Sequence, residues 1–224
     1  MTEADLPLAA EYVPPRADVD GPAPVVVVLH GRGANEQDLL PIAQELPEPL
    51  AILSLRAPDR VGPGYSWYEF DLSGGDLHSS QPVASDFSRS VDLVSASIEG
   101  AVDTYDLDPD RIGLLGFSQG TIMGFAMLLE TPVRFAWCVG LHGYLPASHT
   151  DLEPAGIEGK PVFVGAGTQD RIIPASRAEL AADRFEALGA DVTYRTYPVG
   201  HGVGPDELQD VVEWLDDVRE FADA

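Results

Sequence analysis

Residues 24–30, Pro-Val-Val-Val-Val-Leu-His, carry four consecutive valines and a leucine with no polar break. Branched apolar side chains on both faces of an extended segment suit a strand buried from both sides. A parallel sheet covered by helices supplies that environment. Further apolar runs at 50–58, 111–117, 135–143, 160–167 and 191–198 read as strands of the same kind. Helical patterns lie between them. Phe87, Val91, Val94, Ile98, Val102 and Tyr105 recur every three or four residues and make one apolar stripe. Residues 121–129 are too apolar for a surface helix and are expected beneath the sheet. A run of helix formers from 176 stops at Gly189, and a last helix starts near Pro205 with Leu208, Val211, Val212, Leu215 and Val218 inward. Strands alternating with helices predict an α/β fold with a mostly parallel sheet and helices on both faces. Residues 9–14 could add an edge strand, and 61–82 form the one long irregular loop, a segment type that often carries function. No repeat or linker interrupts the pattern, so residues 1–224 are expected to form a single domain.

Composition narrows the function classes. Asp and Glu number 37 against 13 Lys and Arg, a formal net charge of −24, and Lys160 is the only lysine. The acids are scattered, and no acidic run exceeds two residues, so an acidic tail for a basic partner is not indicated. Such a surface suits a protein working in molar salt, where screening offsets self-repulsion. It disfavours nucleic acid, whose phosphates need a basic face. No apolar stretch is long enough to span a membrane, and the acidic start lacks signal-peptide character. A cytoplasmic location is expected. Cys138, the single cysteine, lies in an apolar run and reads as a small buried hydrophobe.

Chemistry enters at Gly116-Phe-Ser-Gln-Gly120. A G-x-S-x-G segment between a strand and a helix can hold a serine hydroxyl clear of the sheet on a tight turn. A serine alone is a poor nucleophile and needs a base and an orienting acid. His201, after the last strand and among glycines, is the best-placed base; His149 lies in a polar loop and is expected to face solvent. Asp170 follows an apolar strand and precedes His201, giving the order Ser118, Asp170, His201. An oxyanion would need two backbone N–H donors. Gln119, at the helix start, supplies one, and Arg32 in the turn His30-Gly-Arg-Gly33 supplies the other. His30 is expected to brace that turn.

The segments 29–43, 107–120, 143–146, 167–174 and 197–203 together resemble the phospholipase/carboxylesterase group of α/β-hydrolases, which includes acyl-protein thioesterases. The resemblance runs in order from about His30 to His201. It implies an α/β-hydrolase fold and a serine esterase or thioesterase without cofactor or metal. Ser118, Asp170 and His201 would be catalytic, with Arg32 and Gln119 as oxyanion donors and a small-molecule ester or thioester as substrate. A homodimer is compatible with it. Two positions depart from the group: Arg32 stands where leucine is common, and His142 where a small residue is common. Arg32 would face an anionic substrate group or extend into solvent. His142 is expected to line the site. The short stretch between 141 and 161 leaves no room for a lid domain, so the pocket should be shallow and open. Trp67, Tyr68 and Phe70 are expected to wall it, the alternative being that they anchor the loop to the core. Short-to-medium acyl esters or thioesters are therefore the expected substrates. A dienelactone-type hydrolase acting on a small lactone or anionic ester is one alternative, and a non-catalytic ligand-binding protein on the same fold is another.

Overall fold

A computed structural model describes residues 6–73, 75 and 79–218. Among these residues, seven strands form the central sheet: β1 (Ala10–Val13), β2 (Ala23–Leu29), β3 (Ala51–Leu55), β8 (Leu107–Phe117), β9 (Trp137–Leu141), β10 (Pro161–Gly167) and β11 (Asp191–Tyr197). Their spatial order is β1-β3-β2-β8-β9-β10-β11. Only the edge strand β1 runs antiparallel, pairing Ala10 with Leu55 and Val13 with Ile52. The other neighbours are parallel.

The valine run of β2 explains the two-sided core. Val25, Val27 and Leu29 point to one face and Val26 and Val28 to the other, as the two-residue period of a strand requires. The first face is covered by α2 (Ala84–Tyr105), α3 (Gln119–Glu130) and α4 (Ala175–Ala187); the second by α1 (Leu40–Ala43) and α5 (Pro205–Asp217). Eleven residues of α3, from Gln119 to Leu129, are buried, which accounts for its lack of a polar stripe. By contrast α5 buries Val211 and Leu215 on one face and, Glu207 apart, keeps its acids out of the core.

The stretch after β3 is less irregular than its composition suggests. It contains two short hairpins, β4 (Asp59–Val61) with β5 (Gly64–Ser66), and β6 (Phe70–Asp71) with β7 (Gln81–Pro82). Between β9 and β10 there is one short 3₁₀ turn and no lid. Ser118, Asp170 and His201 therefore follow β8, β10 and β11 at the same C-terminal edge, where ligands of open α/β sheets bind.

Candidate active site

The turn from β8 into α3 is dictated by close packing. A Cβ at Gly116 would overlap the backbone of Gly120, and one at Gly120 would overlap the carbonyl of Leu29. Ser118 sits between them at φ 55° and ψ −115°, a conformation that non-glycine residues rarely adopt. Its N–H donates to Leu141 O at 2.9 Å, fixing the turn to β9. The hydroxyl projects into a cavity of about 230 Å³ lined by Arg32, Phe70, Ile122, Tyr144 and Ile173, among others.

His201 Nε2 lies 2.9 Å from Ser118 Oγ, and its Nδ1 lies 2.6 Å from Asp170 Oδ2. The other carboxylate oxygen, Oδ1, accepts the N–H groups of Ile172 at 2.8 Å and Ile173 at 3.0 Å. Burial alone would push the Asp170 carboxyl up. The hydrogen bonds from His201, Ile173 and Ile172 outweigh it and hold Asp170 below its usual range. With Asp170 ionised, Nδ1 of His201 carries the proton and Nε2 is free to accept one from Ser118.

Around the turn at Gly33, the hydrogen bonds run from Gly33 N–H to Tyr65 O and from Ala34 N–H to Gly31 O. His30 braces this turn: Nδ1–H donates to Gly31 O at 2.7 Å, and Nε2 accepts the N–H of Ala57 at 3.1 Å. Burial lowers the His30 pKa, in keeping with a neutral ring that both donates and accepts. The side chain of Gln119 has a second use that its sequence context does not announce. It is buried, its Nε2 donates to Tyr68 O at 2.9 Å, and its Oε1 accepts the N–H of Trp67 at 3.2 Å. The residue that follows the serine thus also ties down the loop over the site.

Several expected site residues stand elsewhere. Trp67 and Tyr68 are fully buried and do not wall the cavity. Trp67 Nε1–H donates to His30 O at 2.8 Å, while Tyr68 packs edge-on against Phe70 and Phe87. They anchor the loop, and of the three only Phe70 reaches the cavity. Arg32 lines the cavity with its charge paired, and its side chain stays partly exposed to solvent. Its guanidinium pairs with Glu69 at 3.2 Å, donates to Ser66 Oγ at 2.8 Å and stacks on Phe70. His142 lies below the site, buried, with Nδ1 3.3 Å from Asp170 Oδ2 and Nε2 3.0 Å from Glu207 Oε2. His149 is buried rather than solvent-facing and contacts Glu130 at 2.8 Å. Cavity residues not singled out from sequence are Ser80, Ile122, Tyr144, Ile172 and Ile173. Of these, Tyr144 and the two isoleucines fall inside the family-like segments.

Donor atoms of His142, Asp170 and His201 lie within 4.8 Å of one another. The 2.6 Å between His201 and Asp170 is a hydrogen-bond length, too close for two ligands sharing one ion. Among the described residues, no helix is long and apolar enough to cross a membrane.

A strand–serine–helix turn, with an acid and a histidine at later strand ends and no lid above them, defines an α/β-hydrolase. Its class is that of serine hydrolases acting on esters or thioesters. A model described as phospholipase/carboxylesterase matches residues 16–219, and the chain belongs to that family. An acyl-protein thioesterase 1 of Gibberella zeae is 30% identical over 79% of this chain and 74% of its own length. Another, of Debaryomyces hansenii, is 29% identical over 70% and 68%. The crystal structure of a Bacillus cereus carboxylesterase superposes with a TM-score of 0.82 at 25% identity, covering 94% of each chain.

Proposed function

We propose that the protein hydrolyses short-to-medium acyl esters or thioesters through an acyl-enzyme formed on Ser118. The observation that carries this is the continuous line of hydrogen bonds from Ser118 Oγ through His201 to Asp170, at the base of an apolar cavity. As Ser118 Oγ attacks the carbonyl carbon, its proton passes to His201 Nε2. Asp170 accepts the Nδ1–H and stabilises the imidazolium. Negative charge on the former carbonyl oxygen is held by the N–H groups of Gln119 and Arg32, the former at the positive end of α3. His201 returns the proton to the leaving alkoxide or thiolate. A water molecule then gives its proton to His201 and its hydroxide to the acyl carbon, and Ser118 is regenerated as the acid departs.

The cavity volume of about 230 Å³ lies below the roughly 300–1,000 Å³ of drug-sized ligand pockets, which supports short and medium chains over palmitoyl. Arg32 is the residue that would favour a small anionic lactone, and its pairing with Glu69 argues against that substrate. The net charge of −24 supports a protein adapted to a salt-rich cytoplasm.

Hydrolysis of p-nitrophenyl acetate, butyrate, octanoate and palmitate tests the proposal, alongside labelling by a fluorophosphonate probe. Turnover of the shorter esters, with label on Ser118, is expected. A folded protein that takes no label and turns over no ester would be a ligand-binding relative instead.

A further inference from the structure

Leu141 ends β9, and His142 follows it at φ 52°, in the left-handed region that side chains seldom enter. That turn carries the imidazole beneath the sheet edge rather than toward the cavity. There it lies between two carboxylates, Asp170 after β10 and Glu207 in the first turn of α5; all three side chains have no solvent exposure. The ring also meets Phe117 at the end of β8 and, edge-on, the ring of His201 after β11. On the far side of Glu207, the Tyr197 hydroxyl is occupied by Asp210 at 2.8 Å. Glycines on β10 make the space. A Cβ at Gly165 would overlap Glu207 Oε1, and one at Gly167 would press on the His142 ring.

Counting protons restricts the arrangement. A neutral imidazole has one N–H, yet both ring nitrogens face carboxylate oxygens. Either the ring carries both protons, or Glu207 carries one and donates it to Nε2. In both states Nδ1–H donates to Asp170. Two ionised buried carboxylates beside an uncharged ring would be costly: Gly204 N–H lies 3.4 Å from Glu207 Oε2, but among the described residues Oε1 has no hydrogen-bond partner. Burial by itself would lower the His142 pKa, but the hydrogen bonds and charges of Glu207 and Asp170 leave it raised.

We infer that His142 and Glu207 form a proton-holding pair that keeps a second imidazole N–H on Asp170, making His142 a positioning residue which weakens the grip of Asp170 on the His201 imidazolium. This rests on reading Ser118, His201 and Asp170 as the acyl-transfer machinery. An N–H on Asp170 Oδ2, the same oxygen that serves His201, withdraws negative charge from that bond. Without it the imidazolium of His201 persists to higher pH, and the free base that Ser118 needs emerges later.

The test is the pH profile of kcat/KM for p-nitrophenyl butyrate, measured on wild type, His142→Ala, His142→Asn and Glu207→Gln. The acid limb of His142→Ala is expected to move up by roughly 0.5–1 pH unit. His142→Asn, whose amide can still donate to Asp170, should return most of the way to wild type. Glu207→Gln keeps a neutral partner for Nε2 and should move the limb by less than His142→Ala. A purely structural role would lower stability or kcat and leave the limb in place, and that result would overturn the inference. A second readout needs no turnover. ¹⁵N-histidine NMR of the wild type, with His142 assigned by its loss in His142→Asn, should show Nδ1 protonated from about pH 6 to about pH 9. An unprotonated Nδ1 would sink the idea even in an active enzyme. A protonated Nδ1 in a protein that hydrolyses no ester would uphold the donor and overturn the acyl-transfer reading alone.

Discussion

Ser118, Asp170 and His201 answer to different forces. Ser118 is held by backbone, in a strained turn that only flanking glycines permit, whereas Asp170 is held by donors and His201 by Asp170. Ser118→Ala is expected to cut kcat by about a million-fold, and Asp170→Asn by about ten-thousand-fold through loss of the working tautomer. Steady-state hydrolysis of p-nitrophenyl butyrate at matched concentrations of folded protein would measure both. The same groups set the pH dependence of stability, with opposite signs. Asp170 titrates below its unfolded value, so its contribution is full above about pH 3.9 and is lost as pH falls through the folded pKa. His142 titrates above its unfolded value, so its contribution is full below about pH 6.5 and is lost as pH rises through the folded pKa. Thermal melts against pH should therefore show a decline on the alkaline side that is smaller in His142→Asn than in wild type.

At the scale of elements, the loop between β3 and α2 depends on one side chain of α3. Gln119→Ala keeps the backbone N–H but strands the buried Trp67 N–H, while the Tyr68 carbonyl keeps the Ser66 hydroxyl at 2.8 Å; the unpaired donor costs about 1–3 kcal/mol. Melting should fall by roughly 2–4 °C for each kcal/mol lost, and ester turnover should fall with it as Phe70 and Arg32 lose their support. Differential scanning calorimetry paired with the ester assay checks this; an unchanged melt would show that the loop is held by Trp67 packing alone. The strands and helices themselves were legible from sequence, because the two-residue alternation of β2 and the helical stripe of α2 are local patterns. The roles of Trp67, Tyr68, His142 and His149 were not. An aromatic or polar residue in a loop looks the same in sequence whether it lines a pocket or plugs the core. Here Trp67 is drawn inward by the carbonyl of His30 and Tyr68 by Phe87.

Across the whole molecule, the proposed salt adaptation rests on charge. With −24 formal charges and a single lysine, repulsion between surface acids works against compaction, and screening by salt would relieve it. Raising KCl from about 0.1 M to about 3 M shrinks the screening length from roughly 10 Å to below 3 Å, and should raise both the melting temperature and the specific activity. A melting temperature that is flat or falls over that range would refute salt adaptation while leaving the acyl-transfer proposal intact. Sequence by itself determined the alternation of strands and helices, the acidic surface, and the order of serine, acid and histidine, since each resides in local pattern, composition or chain order. Only the tertiary structure decided what faces what. Glu69 holds the Arg32 charge, Phe70 alone of its aromatic neighbours reaches the cavity, and His142 turns beneath Asp170 toward Glu207. Each partner lies on a different element from the residue it meets. Their meeting depends on how strands and helices pack, which no local stretch of chain records.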